Sequence, residues 1–172
     1  MHKLDHIVFG ASTLEEGTEF VENILQAKLS DIGYHKDMGT HNRVIKISDE
    51  VYLEVVAIDP KIKNIKNKKW FNLDNLNLQS KLKKLPQIIG YVIENNDINI
   101  SKYYDPFFES SRDIYKWQFS MPTFRNNILD SEILDAGMIP SLISWKSEKP
   151  VYQMKKNQFE IISFEIKISK SQ

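Results

Sequence analysis

The chain has 172 residues, 41% hydrophobic and 27% charged, with 23 Lys plus Arg balancing 23 Asp plus Glu. Such a composition suits one soluble globular domain with a sizeable core, and the zero net charge gives no global field for nucleic acid or anionic membrane. Cysteine is absent, which excludes disulfides, thiolate metal sites and cysteine nucleophiles, so any metal must be held by His and carboxylate. No apolar run reaches membrane-spanning length, and the apolar stretch in MHKLDHIVFGAS is too short for a signal peptide. A cytoplasmic address is the default expectation.

The alternation in Leu4 to Gly10 predicts a strand with Leu4, His6 and Val8 on one face and Asp5, Ile7 and Phe9 on the other. Thr13 and Glu16 have the spacing of a capping box. Phe20, Val21, Ile24 and Leu25 follow at the three-and-four spacing of a buried helical stripe. A weak strand is expected around Leu29 to Tyr34.

Gly39 to Pro60 reads as a hairpin, two β-branched runs around the polar turn Ser48-Asp49-Glu50. In the second run Tyr52, Glu54, Val56 and Ile58 share a face, and Glu54 is the one charged residue in an otherwise apolar strand. A carboxylate in such a place survives by pairing, protonation or metal binding. Its expected partner is His6 or Arg43. A His6–Glu54 pair could serve as an acid–base couple, while a core histidine bonded to a backbone carbonyl or a carboxylate is the plainer reading of His6. His41 and Asn42 open the first run and are candidate ligand anchors, although Asn42 also suits local turn chemistry.

Residues 61–86 carry many lysines around Trp70-Phe71. Charge balance elsewhere favours a solvated linker over a nucleic-acid surface. Trp70-Phe71 should either cover the end of the sheet or line a pocket. Further strands are expected at Gln87 to Glu94, Ile114 to Met121, Ser141 to Trp145 and Phe159 to Ile168, with a weak helix within Asn95 to Tyr104. Two successive strand-helix-strands units suggest a duplicated α+β fold with a trough between two curved halves.

The runs LDHIVFGASTLEEGTEFVE, HKDMGTHNRVIKI, VYLEVVAIDP and WFNLD resemble the glyoxalase-like domain of the vicinal oxygen chelate superfamily. The likeness is good over residues 4 to 74 and looser to residue 146. It implies α+β architecture with two βαβββ-like modules forming an open, barrel-like cup, here with an additional C-terminal strand. The first module would occupy 1–60, the basic linker 61–86, a degenerate second module 87–146 and the last strand 147–172, together one compact domain. It also implies a divalent metal (zinc, manganese or iron) held by His6 and Glu54, polarising vicinal oxygens of a substrate. In the second module Gly90 and Ser144 stand where ligands would be expected, and neither is a good one. Expected site residues are therefore Glu54 and His6 for catalysis, and His41, Asn42, Arg43, Tyr52 and Trp70 for ligand binding. The expected partner is a small molecule, with homodimerisation left open by modules that can pair within or between chains. The resemblance implies a lyase, isomerase or dioxygenase, or else a non-catalytic protein that sequesters a compound in the same cup. A bare protein-association scaffold draws support only from the basic linker.

Overall fold

A computed structural model describes residues 3–63, 70–95, 103–123 and 137–166. Strand β1 (Lys3–Gly10) leads through Ser12 and Thr13 into helix α1 (Leu14–Leu25). Thr13 caps the helix by accepting a bond from the Glu16 amide at 3.2 Å, while the Glu16 carboxylate turns back to the Ser12 hydroxyl at 2.9 Å. Half of the capping box forms, and Ser12 takes the place of the Thr13 backbone. The helix ends at Gln26, which adopts the left-handed conformation at φ 52°.

Strands β2 (Gly33–His35), β3 (Thr40–Lys46) and β4 (Tyr52–Ile58) complete the first half. Helix α2 (Leu76–Leu82) lies within the linker region and is capped by the Asn75 side chain. The second half comprises β5 (Gln87–Glu94), β6 (Phe108–Arg112), β7 (Tyr115–Ser120) and β8 (Ser141–Trp145). The weak helix expected within Asn95 to Tyr104 falls mostly on 96–102, outside the described residues.

All eight strands join one mixed sheet in the order β2-β3-β4-β1-β5-β8-β7-β6. Each half repeats one plan. Its first strand runs parallel to its last (β1 with β4, β5 with β8), and the inner strands add antiparallel outside. The halves meet where β1 and β5 pair antiparallel. The sheet curls so that Arg112 of β6 reaches Asn42 of β3, bringing opposite ends of the sheet together into a cup.

Strand alternation sorts the side chains into two cores. Ile7, Val55 and Ala57 face α1 and pack with Leu14 and Val21, whereas Val8, Val56 and Val92 face the inside with Trp70, Trp117 and Phe119. The helix stripe differs from expectation at one position. Ile24 is 61% exposed, because Leu14, Gly17 and Val21 form the seam and rotate Ile24 outward. At Gly17 the helix touches the sheet so closely that a Cβ would lie 2.7 Å from Val55 Cγ1.

Beyond β8 the expected strand over Phe159 to Ile168 does not form through residue 166. Instead Phe159, Ile161 and Phe164 pack against the outer core, and Asn157 donates to the Lys46 carbonyl at 3.1 Å. Through residue 166 the segment is draped over a hydrophobic surface with no ladder partner, Phe159, Ile161 and Phe164 turned down and Ile162 and Ile166 left exposed. Among the described residues no helix is long and apolar enough to cross a membrane.

Candidate functional site

His6, Asn42, Tyr52, Glu54, Trp70 and Arg112 all line the inside of the cup, a space of about 510 Å³ including its open mouth. The register explains which first-half residues arrive there. Val44 lies opposite Glu54 and Asn42 opposite Val56, and directly opposed residues share a face. His41 and Arg43 therefore face the other way. His41 sits with Tyr34 and Asp59 in a separate surface groove, and Arg43 donates to the Ser30 carbonyl at 2.5 Å beside α1. Neither is in the cup, and Arg43 is not the partner of Glu54.

Glu54 is 6% exposed. Its Oε1 accepts from Asn42 Nδ2 at 2.6 Å, and its Oε2 lies 3.5 Å from His6 Nε2. His6 stacks on Tyr52 with ring centroids 4.5 Å apart. Burial first, then the charges of Asp5 and Glu54, push the Tyr52 hydroxyl well above its ordinary pKa, so the tyrosine stays neutral.

Asp5 was expected on the outer face, and the structure corrects this. Against β5, Leu4 pairs with Ile93 and His6 with Val92, so Asp5 is the extra residue of a β-bulge. The bulge breaks the alternation and turns Asp5 toward its neighbour. His6 Nδ1 lies 2.7 Å from Asp5 Oδ1, and Trp145 Nε1 donates to Oδ2 at 2.8 Å. Since a carboxylate only accepts, Nδ1 carries the proton and Nε2 is the nitrogen that faces Glu54. Lys149 stands 3.7 Å from Asp5 and 2.5 Å from Glu94. Burial alone would raise the Asp5 carboxyl. The bond and charge from His6, with Trp145 and Lys149, more than offset it and hold Asp5 below its usual value.

Sequence reasoning missed Asp5, Lys149 and Arg112. His35 also lines the cup, with Nδ1 3.2 Å from the Thr40 hydroxyl and its ring edge-on to Trp70. Burial is the main cause that lowers His35 to a pKa of about 4, with the Arg112 charge adding to it, so the ring is neutral at pH 7. The Trp70-Phe71 pair settles inside. Phe71 and Asn72 are both left-handed, with φ 50° and 59°, a backbone state that costs a bulky residue roughly 1–2 kcal/mol.

The second half has a matching hollow, whose described lining holds no His–Glu pair. Val8 pairs with Glu54 and Gly90, while Val92 pairs with Ser141 and His6. The local two-fold relation therefore exchanges His6 with Gly90 and Glu54 with Ser141, so Ser141 and not Ser144 is the counterpart of Glu54. Gly90 and Ser141 line a second cavity of about 500 Å³, and Phe71 borders both cavities. A Cβ at Gly90 would lie 3.4 Å from Phe71 Cδ1. The aromatic ring stands against the place where a second ligand would project.

His6 Nε2 and Glu54 Oε2 are near enough to share one ion, and Asp5 behind Nδ1 is the usual support for a ligating histidine. A third donor is lacking among the described residues. Among the described residues no group of three or more His, Asp or Glu could hold a metal. This donor set does not fit a resident zinc, manganese or iron ion, which needs at least three protein ligands in a catalytic site.

Two four-stranded halves joined into one cup, with a buried His–Glu pair on the first and last strands of one half, define a protein of the vicinal oxygen chelate fold. The chain belongs to the glyoxalase-like domain family, whose profile it matches over residues 4–172. Similar solved structures include a hypothetical protein from Staphylococcus aureus, at 20% identity and TM-score 0.54, covering 85% of this chain. This chain spans only 59% of that protein's length. Streptomyces coelicolor methylmalonyl-CoA epimerase in complex with 2-nitronate-propionyl-CoA is similar at 12% identity and TM-score 0.54, covering 86% of this chain and 98% of that one. A methylmalonyl-CoA epimerase in complex with methylmalonyl-CoA and NH4+ gives 11% identity and TM-score 0.52, covering 87% and 99%. No curated protein matches the sequence significantly.

Proposed function

We propose that the chain is a small-molecule enzyme that shifts a proton at a carbon next to a carbonyl, with Glu54 as the proton acceptor. One observation carries this reading. Glu54 is a buried carboxylate whose one oxygen is fixed by Asn42, while the other faces His6 and the interior of the cup. In the step, the substrate C–H bond breaks and its proton passes to Glu54 Oε2. The electron pair moves into an enolate whose charge rests on the carbonyl oxygen. Return of the proton completes an isomerisation, or loss of a neighbouring leaving group completes an elimination. His6, held by Asp5, orients and balances Glu54 through the cycle. Similarity of fold to methylmalonyl-CoA epimerases supports this reading. The residues present support it without a metal.

A second reading is favoured by the walls. Trp70, Phe71, Trp117 and Trp145 surround the cup, and such a lining would also suit a protein that sequesters an apolar compound. Deuterium incorporation in heavy water separates the two. With 2-oxo acids and acyl thioesters as probes, proton NMR should show exchange at the carbon beside the carbonyl. Glu54→Gln, of equal shape, should slow it by about 10²-fold or more. Ligand-induced stabilisation with no exchange in either protein would favour sequestration and sink the enzyme reading.

A further inference from the structure

Arg112 is the cation of the cup that the proposed proton transfer does not use. It comes from β6, a short polar strand, and reaches across the mouth to the opposite half, where Nη1 donates to Asn42 Oδ1 at 3.0 Å. That is its one bond among the described residues, and it makes no ion pair there. The other cations near the site are committed or discharged. Lys149 is bound by Glu94 and Asp5, and His35 is neutral near pH 7. A guanidinium has five N–H donors in a planar fork, and most of those on Arg112 are unused.

The fold makes room for this placement. A Cβ on Gly33 would lie 2.3 Å from Arg112 Nη1 and 2.4 Å from Asn42 Oδ1, so only glycine lets the guanidinium lie over β2. Trp70 supplies an independent sign. Its ring lines the cup, and its indole N–H is buried with no acceptor among the described residues. A buried donor left without a partner is costly, and a ligand that brings acceptors relieves it. One unpaired guanidinium and one orphaned indole N–H in an aromatic cup ask for an anion with an apolar body.

Distance narrows the class further. Asn42 alone separates Arg112 from Glu54, through bonds of 3.0 and 2.6 Å, so the guanidinium and the Glu54 carboxylate are no more than about 8 Å apart. That span lets a carboxylate seated on the guanidinium bring its second or third carbon within about 3–3.5 Å of Glu54, the range for reaction. We infer that Arg112 is the anchor for a substrate carboxylate, and that the substrate is a small organic acid with an apolar or aromatic body and its acidic C–H one or two bonds from that carboxylate. This rests on the cup being the site proposed above, though the anchor can be tested without turnover.

The test measures binding of benzoate, phenylacetate and phenylpyruvate, each against its neutral primary amide, to the full chain by titration calorimetry. The wild type should bind at least one acid ten times or more tightly than its amide. Arg112→Met should erase that preference, and Arg112→Lys should retain part of it. Gly33→Ala should reduce it by displacing the guanidinium while the circular dichroism spectrum stays native. Glu54→Gln should keep the preference and lose the deuterium exchange. A wild type that binds none of the acids above its amide, or a preference that survives Arg112→Met, would overturn the anchor. Acid preference without Glu54-dependent exchange leaves the anchor standing and removes the proton transfer, and exchange without acid preference does the reverse.

Discussion

Replacing Asp5 by asparagine tests whether the bulge in β1 holds the site together. Asp5 is 1% exposed and receives His6 Nδ1, Trp145 Nε1 and the more distant Lys149. An amide presents one oxygen in place of two, and its NH2 must face one of the former donors. Bonds to a charged group are worth roughly 1.5–3 kcal/mol each, and a broken buried pair typically costs about 3–5 kcal/mol. Asp5→Asn keeps one acceptor, so a loss of about 3 kcal/mol is expected. For a chain of this size that lowers the melting temperature by roughly 6–12 °C. The effect also has a pH signature. Because Asp5 is held below 3.8 in the folded protein, its stabilisation is fully present above the unfolded value of about 3.9 and is lost as pH falls through the folded value. The gap between wild type and Asp5→Asn, measured by urea unfolding, should be constant from pH 7 to pH 5 and narrow below pH 4. No gap at pH 7, or one that persists unchanged to pH 3, would refute the role given to the carboxylate.

Gly17→Ala should destabilise by about 1–3 kcal/mol despite alanine's better helix propensity, since the new Cβ would lie 2.5 Å from Ala11 Cβ and 2.7 Å from Val55 Cγ1. Thermal melting checks it, and a more stable variant would contradict the close helix–sheet contact. His35 stays neutral down to a pKa of about 4, whereas the unfolded chain protonates it near 6.5. Stability should therefore fall as pH drops from 6.5 to 4, by ~1–2 kcal/mol once partial solvent contact is allowed for. In His35→Gln that part of the slope should vanish; an unaltered pH profile would place the ring in water.

The hairpin and its buried carboxylate were legible because alternation is strict in β4, and a charged residue on an apolar strand face has few physical solutions. The same rule could have divided His41, Asn42 and Arg43, since consecutive strand residues cannot all point inward. The three were grouped because the register of β3 against β4, which puts Asn42 and Val44 on the Glu54 face, depends on the turn. Asp5 was not legible. A bulge is a property of two strands, and its partner in β5 begins some eighty residues later. Arg112 was hidden for a related reason. Phe108–Arg112 has polar residues at four of five positions, and its bond to Asn42 spans 70 residues, so only curvature of the sheet brings them together. The last strand was overread because alternation reports a half-covered chain, whether or not that chain finds a ladder partner.

Phe71 against Gly90 leaves the two halves of the cup unequal, and this bears on stereochemistry. To invert a carbon centre an enzyme needs a proton acceptor on one side of the planar enolate and a donor on the other. A symmetric cup could offer one from each half. Here the positions opposite His6 and Glu54 are Gly90 and Ser141, behind an aromatic partition. With Glu54 as both acceptor and donor under the proposed chemistry, the proton leaves and returns on the same face. The handedness of a reacting carbon would then be kept, and the protein would carry out a suprafacial shift.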